Sequence, residues 1–281
     1  MHMSIGETHR TLWWREALIA ILFYVAYSIV RNLFGSVLVT GTQIPIEAFL
    51  NAMRIIRFER ALGLFHEESV QDWFVDSPLF MQIVNTYYGL AHFLFTALVF
   101  GVLFVRHPGA FPLWRNTLAF TTALALIGFA LFPVMPPRLL DAPCPPVAAG
   151  GACIRSELRT FNDARTFGFV DSIDVHGGPW AFDEGPGKAL SNQYAAMPSL
   201  HIGWATWCVF ALHPFMKRRV LRLALVLHPT ITLFAIVVTG NHFWIDGVGG
   251  IVVFVAGRVL GGRLHSWNRT RLARRRSAHD E

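Results

Sequence analysis

Two apolar runs joined by a short polar turn occupy residues 220–262, VLRLALVLHPTITLFAIVVTGNHFWIDGVGGIVVFVAGRVLGG. Each run approaches the roughly 20 apolar residues that an α-helix needs to cross a hydrocarbon core of about 30 Å. The turn and the start of the second run hold Asn241-His242-Phe243-Trp244-Ile245-Asp246. Ionisable residues at membrane depth are costly, so they are rare there and favour a functional site. This stretch predicts two antiparallel membrane helices with a functional site where they meet.

The composition of the whole chain also indicates a membrane protein. It has 281 residues, of which 53% are hydrophobic and 15% are charged, with 24 Phe and 9 Trp. A soluble domain of this length normally has fewer apolar residues. The net charge is +6, but the basic residues stand in short clusters between apolar runs. This arrangement is typical of membrane topology signals, so we expect an integral membrane protein that binds no nucleic acid.

Six apolar segments are candidate membrane helices. We therefore expect an all-α fold, a bundle of six transmembrane helices that forms a single domain over residues 1–281 with a short basic tail from about residue 263. The first helix is expected to be an uncleaved anchor, because no small-x-small cleavage site follows Val30. The predicted spans are about 17–39, 80–105, 116–134, 199–215, 220–239 and 244–262.

The basic residues of the loops predict how this bundle is oriented. Short cytoplasmic loops carry an excess of Lys and Arg. If the N-terminus is cytoplasmic, the basic clusters at 106–115, 217–222 and 263–276 all fall on the cytoplasmic side. Both termini are then cytoplasmic. The segments that precede spans two, four and six face the extracytoplasmic side of the cell membrane.

A second histidine motif, Met197-Pro198-Ser199-Leu200-His201, opens span four on this predicted outer side. Arg138 follows span three on the same side, in Pro136-Pro137-Arg138. Helix N-termini present unpaired N–H groups and a partial positive charge, which favour a bound phosphate. Ser199 and Asn241 are the residue types that cap such helix ends. We therefore expect Arg138, Ser199 and Asn241 to contribute to a phosphate-binding site.

The spacing of His242 and Asp246 is suited to phosphoryl transfer. Residues at i and i+4 share a helix face, so the carboxylate can hold the imidazole tautomer and stabilise its charged form. His242 would then be a nucleophile, and His201 could protonate the departing oxygen and later activate the acceptor. The predicted catalytic residues are His201, His242 and Asp246.

These segments resemble the signature motifs of the type 2 phosphatidic acid phosphatase superfamily. The resemblance runs from span two through span six and is closest to the branch that contains inositol phosphorylceramide synthases and sphingomyelin synthases. It implies six membrane helices with the site at their outer ends. It also implies an enzyme that works without a metal or other cofactor, through a phosphohistidine on the later histidine.

Two departures from the phosphatase pattern bear on the substrate. Leu200 replaces the glycine of Pro-Ser-Gly-His, and Ala235-Ile236 stand where Ser-Arg is usual. With fewer cations, the site favours a phosphodiester lipid, so we expect an inositolphosphotransferase-like enzyme that moves a headgroup from a membrane lipid to a hydroxyl acceptor. A lipid phosphate phosphatase with water as acceptor is the alternative, because the same histidines serve both reactions. A non-catalytic transporter or scaffold would not require the His–Asp spacing.

Other polar residues are candidates for headgroup contact. Tyr88 and His92 share one face of span two, where interhelical hydrogen bonding is the alternative role. The long segment 135–198 is rich in Pro and Gly and predicts a lid or headgroup pocket, with Asn192 and Tyr194 as contacts.

Two further expectations concern the outer segments. Cys144 and Cys153 would pair as a disulfide in an oxidising compartment. Residues 40–79 alternate basic and apolar side chains, which predicts a surface-lying amphipathic helix. This helix would either guide lipid toward the site or cap the bundle.

Overall fold

The computed structural model describes residues 46–141, 167–177 and 194–277, together with five single helical residues, Trp14, Glu16, Leu18, Ile21 and Val25. Most of the predicted first span lies outside the described residues. The same is true of Asn192 and of the predicted disulfide between Cys144 and Cys153. Within the described ranges the chain is helical and contains no strand, only an isolated bridge between Val134 and Ala195.

The described helices follow one another with short connections, except around the helix Ser172–His176, whose neighbouring segments are only partly described. Two 3₁₀ turns, Pro137–Leu139 and His213–Phe215, are present as well. The α-helices are α1 Ile46–Ala61, α2 Glu67–Val75, α3 Pro78–Arg106, α4 Phe111–Leu131, α5 Ser172–His176, α6 Leu200–Leu212, α7 Arg219–Val238 and α8 Trp244–Ser277.

Three of the described helices are long and apolar enough to cross a membrane. They are α3, α7 and the part of α8 over Trp244–Arg274. The 13 residues of α6 make a rod of only about 20 Å, shorter than a hydrocarbon core of about 30 Å. In α4 the polar pair Arg115-Asn116 stands near the helix start. The six-span bundle therefore stays a prediction, whereas three candidate spans are present.

Several element boundaries differ from those expected. α8 continues to Ser277, well beyond the predicted end near residue 262, because the basic tail is rich in Arg, which is a good helix former. The segment 135–198, predicted to form a lid or headgroup pocket, contains α5, which begins where Asp171 caps the amides of Ile173 and Asp174.

The expected amphipathic region forms two helices, α1 and α2. In α1, Phe49, Ala52 and Ile56 are buried, whereas Arg57 and Phe58 on the other face are exposed. The buried face belongs to a cluster that also contains Met135 and Phe243. α1 therefore packs over the turn that precedes α8 and covers that end of the bundle.

The closest helix packing joins α4 and α8. A Cβ added to Gly257 would lie 2.4 Å from Thr121 Oγ1, and one added to Gly261 would lie 2.7 Å from the backbone nitrogen of Thr117. Small residues four apart let two helix backbones approach in this way. The Gly257-x-x-x-Gly261 spacing thus fixes α8, which follows the polar turn, against α4.

Three connections meet at the end of the bundle where α8 begins. Arg138 N–H donates to the Gly240 carbonyl at 2.7 Å, and Ser199 N–H donates to the Asp246 carbonyl at 2.9 Å. Gly240 has φ +69°, a left-handed conformation that glycine adopts without strain. The turn between α7 and α8 therefore lies beside both the 3₁₀ turn after α4 and the start of α6.

Candidate active site

His242 and Asp246 are in contact, as their spacing predicts. His242 Nδ1 lies 3.3 Å from Asp246 Oδ2, and the two residues are 3% and 0% exposed. Because Nδ1 faces the carboxylate, Nε2 is the ring nitrogen left to react. The carboxylate can stabilise a positive imidazole, which is what a histidine nucleophile needs after it bonds to phosphorus.

The surroundings of His242 differ from the expectation in two respects. The i, i+4 spacing placed His242 on the helix with Asp246, but the helix begins at Trp244, where the predicted span begins, so His242 precedes its first turn. Asn241 does not cap the helix, because its side chain instead accepts from Arg138 and donates to Thr239 Oγ1. The Phe243 N–H donates to Asp246 Oδ2 at 2.9 Å. Asp246 therefore holds both the histidine and the entry to the helix.

His201 lies between this pair and two aromatic residues of α3. Its ring centroid is 5.4 Å from that of His242, with the planes nearly perpendicular. The Tyr88 ring stacks on the His201 ring with 4.6 Å between the centroids, and the centroid of the His92 ring lies 4.1 Å from that of His201. The structure thus brings Tyr88 and His92 to His201, although both were expected to contact a headgroup. Their substrate contacts stay predictions.

Arg138 also reaches this region, and its guanidinium has protein partners. Nε donates to Asn241 Oδ1 at 3.0 Å, and Nη1 pairs with Asp171 Oδ2. Arg138 as a whole residue is 4% exposed. Arg138 is therefore attached to the residue next to His242, with part of its charge balanced by Asp171.

The other residues predicted to contact the substrate are Ser199, Tyr194 and Asn192. Ser199 precedes α6 at the capping position, but its hydroxyl makes no capping hydrogen bond and is buried. Tyr194 is half-buried near Arg138; burial raises its pKa, and the Arg138 charge acts in the opposite direction. The structure thus brings Asn241 and Tyr194 to Arg138, while Asn192 lies outside the described residues.

Comparison with models of known protein families gives one match, which covers most of the chain. The model of the PAP2 superfamily matches residues 53–260, which is about three quarters of the chain and includes every element from α3 to most of α8. The chain belongs to the PAP2 superfamily. Comparison with curated proteins and with solved structures gave no match.

PAP2 superfamily membership supports a membrane enzyme of the phosphatase or phosphotransferase type. The apolar helices α3, α7 and α8 agree with an integral membrane protein. In the part of the chain that the structure describes, no group of three or more His, Cys, Asp or Glu side chains is arranged to hold a metal ion. Metal independence stays a prediction.

Sequence reasoning missed three acidic residues that contact the candidate site. Asp171 pairs with Arg138, while Glu59 and Glu67 accept backbone N–H groups at the start of α8. Glu59 and Glu67 precede Trp244 by more than 170 residues, and no spacing rule links such distant positions. The only local signal was an acidic residue on the otherwise apolar face of an amphipathic segment.

Asn85 and Tyr87 of α3 form hydrogen bonds with other protein segments and not with His201 or His242. Asn85 Nδ2 donates to the carbonyls of Ser172 and Gly177, and so holds α5. The Tyr87 hydroxyl lies 3.0 Å from both His228 Nδ1 and Thr232 Oγ1 of α7. For these two residues, contact between protein segments is the role that the structure supports.

Proposed function

We propose that this PAP2-superfamily protein transfers a phosphate-containing headgroup, with phosphoinositol as the first candidate, from a membrane lipid to a hydroxyl acceptor. In this proposal it is similar to the inositol phosphorylceramide synthase branch. The observation that carries the proposal is the 3.3 Å contact between His242 Nδ1 and Asp246 Oδ2, with His201 facing His242 at 5.4 Å between ring centroids. A nucleophile, its orienting carboxylate and a second histidine are then adjacent.

In the first step, His242 Nε2 attacks the phosphorus of the lipid phosphodiester. The bond between phosphorus and the glycerol oxygen breaks, and His201 gives its proton to that oxygen, which leaves as the diacylglycerol hydroxyl. The headgroup phosphate is now bonded to His242. Asp246 stabilises the positive charge that the imidazole acquires.

In the second step, His201 accepts the proton of the incoming hydroxyl group. The resulting oxygen nucleophile attacks phosphorus, the bond between phosphorus and His242 Nε2 breaks, and the histidine is restored. With a lipid alcohol as acceptor the product is a new phospholipid. In the phosphatase alternative the donor is a lipid phosphate monoester and the acceptor is water, so the product is inorganic phosphate.

The charge around Arg138 supports a diester rather than a monoester donor. Arg138 is the cation expected at the phosphate, and Asp171 already balances part of its charge. A phosphodiester carries one negative charge and a lipid phosphate monoester carries up to two. A weakly cationic site therefore suits the diester better, whereas a monoester phosphatase would need more positive charge.

The proposal includes one membrane domain with its site on the extracytoplasmic side. The end of the bundle that carries His201 and His242, the histidine end, contains the starts of α3, α6 and α8. The basic residues at 217–222 lie at the opposite ends of α6 and α7. Under the positive-inside rule, the basic end is cytoplasmic and the histidine end faces outward. Membrane lipids of the outer leaflet would then be its partners.

Labelled lipids distinguish the transferase from the phosphatase. Purified protein in lipid vesicles would be incubated with phosphatidylinositol carrying label on both phosphate and inositol, and separately with labelled phosphatidic acid, with ceramide or diacylglycerol as acceptor. We expect both labels of phosphatidylinositol to move together to a second lipid. Release of inorganic phosphate from phosphatidic acid alone would instead identify the phosphatase.

Replacement of the two histidines tests the roles assigned to them. His242→Ala should abolish transfer and the acid-labile, alkali-stable phosphoenzyme, because the proposed phosphorus–nitrogen bond forms on its Nε2. His201→Ala should reduce turnover by about 10²–10⁴. His213→Ala is the matched control, because His213 is an exposed histidine that directly follows α6, the helix of His201. Transfer that persisted in His242→Ala would favour a non-catalytic or different role for the site.

Metal removal tests the proposed metal-independent chemistry. Turnover should be unchanged after incubation with EDTA, because the nucleophile and the proton donor are both side chains of the chain. The same protein treated with EDTA and then given Mg²⁺ serves as the control. Activity lost in EDTA and regained with Mg²⁺ would contradict the phosphohistidine mechanism.

A further inference from the structure

Two buried glutamates that the proposed chemistry does not use meet at the start of α8. Glu59 of α1 and Glu67 of α2 are 1% and 0% exposed. Glu67 Oε1 accepts the Trp244 N–H at 3.1 Å, and Glu59 Oε1 accepts the Ile245 N–H at 2.9 Å. The first turn of α8 is therefore held by carboxyl groups from two other helices.

Asp246 adds a third carboxyl group to the same helix end. Its Oδ2 accepts the Phe243 N–H, so three successive amides, 243 to 245, each donate to a different acidic side chain. A helix N-terminus carries only about half a positive charge. That charge cannot balance three buried carboxylates, so at least one of the three is expected to keep its proton.

The structure indicates which two groups share that proton. Glu59 and Glu67 accept adjacent amides of the same helix turn, so their carboxyl groups lie side by side. In each, Oε2 is buried and has no hydrogen-bond partner among the described residues. Two such oxygens can satisfy each other only when one carboxyl group is protonated and donates to the other. A carboxylic acid paired with a carboxylate therefore fits this geometry.

The surroundings favour Glu59 as the protonated member. Burial, the hydrogen bond with Glu67 and the negative charge of Glu67 raise the pKa of Glu59 to about 9. The charged groups that act on Glu59 are Glu67 from α2 and Asp246 from α8, and both oppose its ionisation. The Ile245 N–H acts in the opposite direction. Glu59 is consequently neutral at pH 7 and loses its proton as the pH rises through about 9.

We infer that Glu59 and Glu67 are positioning residues that share one proton and, by fixing the first turn of α8, hold His242 and Asp246 in the geometry needed for transfer. The inference rests on the proposed function, because the turn they fix carries the proposed nucleophile. Loss of the shared proton would place a further negative charge beside Glu67 and Asp246. The carboxyl groups would then repel one another, and the amides of α8 would lose their fixed partners.

Glu59→Gln separates the role of the proton from that of the hydrogen bonds. Glutamine can still accept the Ile245 N–H and donate to Glu67, but it does not ionise. We expect kcat at pH 7 within about twofold of the wild type, because one neutral donor replaces another. We also expect that the fall in wild-type kcat above pH 9 is absent from the variant. Glu47→Gln, an exposed glutamate of the same helix, should keep that fall.

Glu59→Ala removes the hydrogen bonds as well. We expect kcat to fall about tenfold or more, with KM for the lipid donor within about twofold, because the lost contacts orient the nucleophile and do not touch the lipid. Melting temperatures at pH 7 show whether each variant is folded. An alkaline fall that persists in folded Glu59→Gln, or a folded Glu59→Ala with unchanged kcat, would overturn the inference.

An infrared measurement tests the shared proton without any substrate. The wild-type protein at pH 7 should show the C=O stretching band of a buried carboxylic acid, which shifts in D₂O and disappears near pH 10. The band should be missing from Glu59→Gln and present in Glu47→Gln. If the wild type turned over no lipid at any pH, the proposed function would fail, while this band would still support the proton pair. Persistence of the band in Glu59→Gln would overturn it.

Discussion

One carboxylate oxygen of Asp246 makes two contacts in the candidate site. Oδ2 lies 3.3 Å from His242 Nδ1 and accepts the Phe243 N–H at 2.9 Å. The first contact fixes the imidazole, and the second fixes the backbone that carries it. The i, i+4 spacing predicted the first contact. The second depends on the chain bending between His242 and Trp244, which the spacing does not specify.

Asp246→Asn tests which of these two contributions matters more. Asparagine can still accept the Phe243 N–H, but it cannot balance a positive imidazole, so we expect kcat to fall about a hundredfold or more while some turnover remains. Melting temperature should change little. The kcat of purified variant in vesicles is the measurement. A kcat equal to that of the wild type would show that the carboxylate charge has no part in the reaction.

Among the helices, α8 has the largest share in both the fold and the site. Its beginning carries Asp246, and its middle packs closely on α4 through Gly257 and Gly261. The apolar run predicted the start of this helix to the residue and predicted its end about 15 residues too early. The reason is that an apolar pattern detects the part of a helix in the membrane, whereas the basic continuation is set by helix propensity.

Gly257→Val should separate α8 from α4. The new side chain would meet Thr121 backbone and Oγ1 atoms at less than 3 Å, and overpacking of this kind costs about 1–3 kcal/mol. We expect a lower melting temperature and reduced turnover, because the helix end at Asp246 moves with the helix. Gly101→Val is the matched control, since that helical glycine of α3 has open space around it. Equal melting temperatures for the two variants would contradict the assigned packing.

For the whole molecule, the arrangement of the helices places His201 and His242 at one end and the basic clusters at the other. Glu16 pairs with Arg115 near the start of α4, which places that part of the N-terminal segment at the basic end. The described helices thus determine which residues lie at the same end of the bundle. Which end faces outward is the part of the topology that rests on the loop charges.

The two lysines of the chain, Lys188 and Lys217, test this orientation directly. Lys188 belongs to the predicted outer segment, and Lys217 belongs to the basic connection between α6 and α7. A membrane-impermeant amine reagent applied to intact cells should modify Lys188 and leave Lys217 unmodified, as measured by peptide mass spectrometry. Inverted vesicles should give the reverse pattern. Labelling of Lys217 alone in intact cells would reverse the proposed orientation.

The amino-acid pattern was sufficient for the membrane class, for the positions of α3, α7 and the start of α8, and for the contact of His242 with Asp246. Each of these follows from apolar length or from helical periodicity, which are local properties of the chain. The pairing of Arg138 with Asp171, the stacking of Tyr88 on His201 and the carboxyl groups of Glu59 and Glu67 at α8 required the folded arrangement. They join segments far apart in sequence, and a buried polar group takes whichever partner the packing brings to it.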